Sequence, residues 1–393
     1  MQPQQALTRR GFVGGLATAV GYLSLESREL WARGPYDATL RVQQGQDYDS
    51  LAKLHFNENP WGPSDAVMEA MTGAFKYANR YGYPDGDIVA GIASHHGVDR
   101  SHILLGAGSG EILDVVGTAF LEGRKVVGCD PSYSSVYTHA TSIRAEAHLV
   151  PLLHDWRQDI PAIVEATRRN HRDVGFVYLC NPNNPTGRTV TAAEVKQLLD
   201  GIPEDVPVLI DEAYHHYVED PAYATAVPHV VEGRNVIVAR TFSKIYGMAG
   251  MRLGYAVAPP ALIRRMRPWS TGSINALVKW GGVAALRDQA SVNRVRTETL
   301  HLRRKTVATL EGVGFDVIPS ETNFFMVHVR RPVADVRDEF RRQGVMVGRS
   351  FPPMTEHMRV SVGTPAEMDR FMAAFRQIFT TTKDGQLRYP ALG

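Results

Sequence analysis

Between residues 100 and 270, short apolar runs alternate with segments of helical length. The runs fall at residues 103–105, 125–128, 175–180, 206–210 and 235–239. Runs that are apolar throughout, without polar alternation, bury both faces, and when helical crossovers separate them they build a largely parallel sheet covered on both sides. The expected core is therefore α/β. In such sheets ligands bind beyond the carboxyl ends of the strands, so the polar residues directly after each run are where chemistry is to be sought.

After residue 280 the pattern changes to a long helical stretch at 283–310, a strand at 323–329, a helix near 334–343 and a strand at 359–362. This predicts a smaller α+β unit. The chain accordingly divides into a signal-like segment at 1–33, a segment at 34–75 that joins the small domain, a large domain at 76–280 and a small C-terminal domain at 281–393.

Charge narrows the choice of partners. Lys and Arg total 43 against 41 Asp and Glu, a formal +2, which is not the electrostatic footprint of a nucleic-acid binder. A small molecule is the expected partner. Cys129 and Cys180 are the only cysteines, so no disulfide framework or thiolate metal cluster is expected. No run reaches the roughly 18 apolar residues needed to span a bilayer. Thr8-Arg9-Arg10-Gly11-Phe12-Val13 precedes a weakly apolar, charge-free run at 14–25. That pattern resembles a twin-arginine export signal and predicts a periplasmic protein, with a cytoplasmic one as the alternative.

At the strand ends, the first run opens into Gly106-Ala107-Gly108-Ser109-Gly110-Glu111 and then an apolar-periodic helix. A Gly-rich turn feeding a helix N-terminus offers free N–H groups and a favourable dipole to a phosphate. The third run ends in Asn181-Pro182-Asn183-Asn184-Pro185-Thr186-Gly187, a stiff loop able to present an asparagine in fixed orientation. The fourth ends in Asp211-Glu212-Ala213-Tyr214. A carboxylate at the end of a buried strand requires a cationic partner.

The fifth run leads to Arg240-Thr241-Phe242-Ser243-Lys244, with Arg252 eight residues beyond the lysine. Among eight lysines, only Lys244 follows a core strand inside a Ser/Thr- and Gly-rich loop. A lysine there, with an arginine nearby to disfavour its protonation, suits Schiff-base chemistry. Together these groups match the needs of pyridoxal 5'-phosphate: a lysine for its aldehyde, a carboxylate for its ring nitrogen, donors for its ring oxygen, and an arginine, hydroxyls and a helix N-terminus for its phosphate.

In order and near-spacing, these motifs, with Leu54-His55-Phe56-Asn57-Glu58-Asn59-Pro60 before them and Gly250-Met251-Arg252-Leu253-Gly254-Tyr255 after, resemble the fold-type I aminotransferases of classes I and II, above all the histidinol-phosphate aminotransferases. The resemblance implies a fold-type I transferase with a large, mostly parallel, seven-stranded-type sheet domain and a smaller α+β domain. It implies that Lys244 bonds the cofactor and moves the substrate proton, that Asp211 pairs with the ring nitrogen, and that Asn184 and Tyr214 donate to the ring oxygen. Gly108, Ser109, Gly110, Thr241, Ser243 and Arg252 would hold the phosphate, and Tyr133 would stack on the ring. Arg359 would clamp the substrate carboxylate through a two-pronged contact, with Asn59, Tyr83, Asn184 and Arg349 completing the substrate site. The implied reaction moves an amino group from a histidinol-phosphate-like, aromatic or basic amino acid to a 2-oxo acid such as 2-oxoglutarate, in a homodimer with a shared active site. A decarboxylase, lyase or cyclase of the same fold, such as a threonine-phosphate decarboxylase, would carry the same cofactor residues.

Two stretches depart from the family. The segment that sends a tyrosine into the neighbouring subunit reads Asn79-Arg80-Tyr81-Gly82-Tyr83-Pro84-Asp85, two residues longer than usual, so Tyr81 or Tyr83 could serve, Tyr83 being slightly favoured by its place before Pro-Asp. The arginine that would meet a substrate phosphate, Arg349, is displaced by one position and is followed by an inserted Phe351-Pro352-Pro353. Outside these motifs, His215-His216 and His95-His96 read as packing residues, since adjacent histidines diverge and lack a third ligand. Arg303-Arg304-Lys305 and Arg341-Arg342 read as solvated helix faces.

Overall fold

A computed structural model describes residues 48–379. The signal-like segment lies outside the described residues. Tyr48–Ser50 form one 3-10 turn, and from Ala52 onward the chain makes a single compact unit. Its strands are β1 (Ala52–Leu54), β2 (Ile103–Gly106), β3 (Lys125–Asp130), β4 (Glu146–Pro151), β5 (Val174–Cys180), β6 (Val208–Asp211), β7 (Val236–Thr241), β8 (Gly254–Val257), β9 (Val317–Ile318), β10 (Phe324–His328), β11 (Val345–Val347) and β12 (His357–Ser361).

Seven strands form one sheet in the order β2-β8-β7-β6-β5-β3-β4, parallel except for β8, which runs antiparallel to both its neighbours. Every residue of β5, β6 and β7 is buried, as unbroken apolar strands require. Two apolar clusters cover the sheet, one containing Val177, Leu179, Val208, Ile210 and Val238, the other Phe176, Tyr178, Leu209 and Ile237. Successive strand residues thus point to opposite faces. The carboxyl ends of β5, β6 and β7 lie side by side, with Cys180 paired to Asp211 and Asp211 to Ala239. Residues 181–187, 211–214 and 241–252 therefore converge on one edge.

β4 and β8 escaped the sequence reading for different reasons. Most of β4 is exposed, so it has no apolar run to detect. β8 is four residues long and begins at a glycine, both weak strand signals.

The remaining strands form a two-stranded parallel pair, β1 with β11, and a three-stranded antiparallel sheet, β12-β10-β9. Around them packs a third cluster with Phe315, Phe325, Phe340, Phe371 and Phe375 at its centre. The expected single helix at 283–310 is in fact two, Ala276–Arg287 and Gln289–Gly312. Asp288 breaks it: its side chain accepts the N–H of Ser291 at 3.0 Å and caps the second helix. Arg303 also corrects the reading of a solvated face. It is 6 % exposed, donating to the Thr322 carbonyl at 2.6 Å and lying 3.4 Å from Glu219.

Candidate active site

Lys244 follows β7 in a loop anchored by the fully buried Phe242. Its Nζ donates to the Phe56 carbonyl at 3.1 Å and lies 5.6 Å from the centroid of the Tyr214 ring. Burial, then the Arg359 charge, lowers its pKa to about 8, with Arg252 adding to the effect while Glu58 and Asp211 oppose it. A lysine so placed supplies neutral amine near neutral pH, which a carbonyl-attacking nucleophile needs.

Asp211 ends β6 and is 3 % exposed. Burial raises its pKa to about 6, against the pull of the Ala213 N–H, 3.2 Å from Oδ1, and of Lys244. The expected cationic partner belongs instead to the next residue. Arg240 lies 2.6 Å from Glu212, both deeply buried, and no ion pair within 4.0 Å involves Asp211 among the described residues. The Arg240 guanidinium reaches Glu212 from β7, leaving the Asp211 carboxylate to serve another cationic N–H donor.

Tyr214, Asn184 and Arg359 form a connected group. The Tyr214 hydroxyl accepts from Asn57 Nδ2 at 3.0 Å and from Asn184 Nδ2 at 3.4 Å. Asn184 Oδ1 in turn accepts from Arg359 Nη1 at 2.6 Å, and Arg359 Nη2 donates to the His55 carbonyl at 2.7 Å. Arg359 Nε is buried without a partner, an orphaned donor of the kind that a bound carboxylate would satisfy. Burial lowers the Arg359 pKa to about 10; Tyr214 opposes this and Arg349 adds to it.

The Gly-rich turn after β2 meets Arg252. Nη2 donates to the Ala107 carbonyl at 3.2 Å, and Nη1 to the Ser243 hydroxyl at 3.3 Å and the Ala249 carbonyl at 2.9 Å. Gly108 has φ +82°, and a Cβ there would fall 2.1 Å from Arg252 Nη2, so only glycine admits the guanidinium to the turn. Helix Ser109–Phe120 starts immediately afterwards with no side-chain cap, leaving the first amides, at Ser109 and Gly110, for an anion. Thr241 Oγ1 accepts the Ser243 N–H at 3.0 Å, which fixes the hydroxyl pair beside Arg252. Cationic, hydroxyl and amide donors thus surround one point, and with Lys244 and Asp211 beyond them the set fits pyridoxal 5'-phosphate.

The other expected site residues are placed as follows. Tyr133, in the loop after β3, is 41 % exposed. Asn59 spends its side chain on the loop itself, donating to the Ile245 carbonyl at 2.9 Å and accepting the Trp61 N–H at 3.0 Å; it thereby ties residues 57–61 to the residue after Lys244. Arg349 is exposed, with Nη1 on the Ser350 carbonyl and its guanidinium over the Phe351 ring. The Tyr83 hydroxyl donates to the Ile274 carbonyl at 2.9 Å, whereas Tyr81 is fully exposed. His215 and His216 are internal, bonded to Arg240 and Tyr246, and His96 meets the Tyr255 hydroxyl at 2.9 Å. No cluster able to hold a metal occurs among the described residues, nor is any described helix long and apolar enough to cross a membrane.

Asn57 is a site residue that motif reading passed over. Its side chain bonds Tyr214, its backbone N–H meets the Ser361 hydroxyl at 2.8 Å, and its φ is +56°. An asparagine tolerates that left-handed conformation better than most residues, which is the one signal the sequence carried.

Comparison with known proteins agrees with this geometry. Residues 50–375 match the family model of aminotransferase class I and II. The histidinol-phosphate aminotransferase of Symbiobacterium thermophilum is 36% identical over 345 residues, covering 85% of this chain and 92% of that one. The crystal structure of histidinol-phosphate aminotransferase from Sinorhizobium meliloti, in complex with pyridoxal-5'-phosphate, superposes with a TM-score of 0.77 at 27% identity, covering 84% of this chain and 90% of that one. The fold is also that of L-threonine-O-3-phosphate decarboxylase from Porphyromonas gingivalis, at a TM-score of 0.71 and 22% identity, covering 83% of this chain and 98% of that one.

Proposed function

The chain belongs to the class I and II aminotransferases and is a pyridoxal-phosphate enzyme, and from that premise we propose that it moves the amino group of a histidinol-phosphate-like, aromatic or basic amino acid to a 2-oxo acid such as 2-oxoglutarate. The observation that carries this reading is Arg359: a buried guanidinium with an unpaired Nε, joined through Asn184 to Tyr214 and electrostatically coupled to Lys244. An α-carboxylate bound there brings the rest of an amino acid to the lysine amine.

The bound cofactor supplies an electron sink for the pair released at the substrate's α-carbon. Asp211 would hold a proton on the ring nitrogen by its charge. Asn184 and Tyr214 orient the ring oxygen. Ser109, Gly110, Thr241, Ser243 and Arg252 hold the phosphate, and Tyr133 covers the ring. Lys244 Nζ, its pKa lowered to about 8, would take the α-proton and deliver it to the cofactor carbon that bore the aldehyde. Arg349 meets a second acidic group on the substrate.

We propose further that the enzyme works as a homodimer with a shared site. Tyr81 has the better claim to reach the neighbouring subunit, because its ring is fully exposed while the Tyr83 hydroxyl is engaged within its own chain. Arg9-Arg10 would direct export of the folded enzyme.

The decarboxylase reading shares every cofactor contact, and product chemistry separates the two. Holoenzyme is mixed with single amino acids, histidinol phosphate included, without any oxo-acid acceptor. One equivalent of oxo product per site, a 2-oxo acid from an amino acid or an oxo phosphate ester from histidinol phosphate, and no carbon dioxide, is the expected result; release of carbon dioxide with the cofactor unchanged overturns the aminotransferase assignment.

A further inference from the structure

Tyr178 is wholly buried, and its hydroxyl has no hydrogen-bond partner among the described residues. The sheet shows what that hydroxyl faces. Across β5 and β6, Tyr178 pairs with Leu209 and Cys180 with Asp211. Tyr178, Cys180 and Leu209 lie on one face of the sheet and Ile210 on the other, so strand alternation returns the Asp211 side chain to the face of Tyr178. The two are diagonal neighbours, a span within reach of an aromatic side chain. Burial raises the Asp211 pKa to about 6, and the Ala213 N–H, Lys244 and the Tyr178 hydroxyl pull it back. The groups around Tyr178 are already committed. Tyr137, on helix Ser135–Ser142, meets its ring edge to face at 5.7 Å and donates to the Cys129 carbonyl at 2.8 Å. A Cβ on Gly128 would fall 2.4 Å from the Tyr137 hydroxyl, so glycine there admits the tyrosine pair. Cys180 Sγ donates to the Pro182 carbonyl at 3.4 Å. The Tyr178 ring is thus clamped while its hydroxyl stays uncommitted.

A hydroxyl buried without a partner is costly, and phenylalanine would fill the same space without that cost. A buried carboxylate, for its part, stays ionised only when donors and cations surround it. Asp211 Oδ1 takes the Ala213 N–H at 3.2 Å, which leaves the carboxylate with acceptor capacity for a further donor. We propose that Tyr178 is a positioning residue for Asp211: its phenol donates to the carboxylate when a cationic ring nitrogen meets Asp211, and so keeps that carboxylate charged and fixed in orientation. This rests on the reading of Asp211 as the ring-nitrogen contact.

Equilibrium titration of the apoenzyme with pyridoxal 5'-phosphate, and with its carba analogue in which C–H replaces the ring nitrogen, tests it. Aldehyde and phosphate are the same in both, so the ratio of the two affinities isolates the ring-nitrogen contact. The wild type is expected to prefer pyridoxal 5'-phosphate. Tyr178→Phe should weaken that ligand by roughly 10- to 150-fold, the range for one hydrogen bond to a charged group, and leave the analogue within about twofold of wild type, so that the ratio collapses. The variant also removes a donor to the charged form of Asp211, so the acid limb of the ratio should move to higher pH. A residue with a merely structural role would, on losing an orphaned hydroxyl, keep or raise the melting temperature and leave both the ratio and its pH profile alone. An unchanged ratio in Tyr178→Phe overturns the proposal. Should that variant fail to fold, fluorination of the Tyr178 ring beside its hydroxyl makes the phenol a stronger donor; it must widen the ratio, and a ratio that stays put counts against the inference. Equal wild-type affinity for the two ligands removes Asp211 from the ring nitrogen, and the role of Tyr178 falls with that reading rather than by itself.

Discussion

Arg359 and Asn184 are bonded side chain to side chain at 2.6 Å, and the same asparagine reaches on to the Tyr214 hydroxyl at 3.4 Å. The residue proposed to hold the substrate carboxylate and one proposed to hold the cofactor ring oxygen thus share a single amide. Substrate binding and ring orientation are mechanically linked: whatever shifts the guanidinium shifts the asparagine.

Arg359→Lys keeps the charge and loses the fork. Lysine cannot bond Asn184, the His55 carbonyl and a carboxylate together in one plane. One charge-assisted hydrogen bond of about 1.5–3 kcal/mol is lost, so KM for the amino donor should rise roughly 10- to 150-fold. Steady-state kinetics decide: an unchanged KM removes Arg359 from the carboxylate site.

Lys244 sets the pH dependence of cofactor loading. The neutral amine attacks the aldehyde, and burial together with Arg359 lowers the Lys244 pKa to about 8. In the apoenzyme the rate of cofactor uptake should therefore climb with pH up to about 8 and level off above it. Arg359→Met removes the neighbouring charge that most lowers the Lys244 pKa, and the midpoint should move upward. A wild-type rate still climbing steeply between pH 9 and 10, followed by stopped-flow absorbance, contradicts the lowered amine pKa. Lys244→Ala should retain the fold by circular dichroism and lose on the order of 10⁴-fold in turnover, the upper range for a positioned proton-transfer group.

Gly108→Ala tests the phosphate cup. The added Cβ would sit 2.1 Å from Arg252 Nη2 at a residue with φ +82°, so the guanidinium must leave the turn and the backbone is strained. Loss of one charge-assisted contact costs about 1.5–3 kcal/mol, which is roughly a 10- to 150-fold weaker hold on the cofactor. Fluorescence titration of the apoenzyme measures it, and cofactor affinity within twofold of wild type would falsify the placement of Arg252.

What the sequence disclosed and what it hid divide along physical lines. Lys244, Asp211, Asn184 and Arg252 were legible because each stands at a fixed offset from a buried strand end, and strand ends are marked by apolar runs that stop abruptly. The small-domain side was less legible. Arg359 lies within β12, where nothing in the pattern separates it from an ordinary charged residue. Asn57 acts through a backbone conformation that a sequence shows only faintly. The pairing of Glu212 rather than Asp211 with Arg240 was equally hidden: two adjacent carboxylates at the end of one strand look alike until the structure shows which of them meets Arg240 from β7.

That pair supports the site from behind, and its cost of disruption can be worked out. Glu212 accepts the Arg240 guanidinium at 2.6 Å, the Thr225 hydroxyl at 2.9 Å and the Ala226 N–H at 2.7 Å, so it pins residues 225–226 to the ends of β6 and β7. Replacing Arg240 with Met leaves a buried carboxylate with only neutral donors, and breaking a buried pair in this way costs about 3–5 kcal/mol. The double change Arg240→Met with Glu212→Gln removes the stranded charge while keeping the contacts to Thr225 and Ala226, and should recover most of the loss. Urea unfolding of the apoenzyme separates the cases, since a purely local packing defect would leave the double variant no more stable than Arg240→Met alone. Because Asp211 is the neighbouring residue on β6, the single variant should also bind the cofactor more weakly at temperatures where it remains folded, and the double variant should restore that affinity in step with its stability.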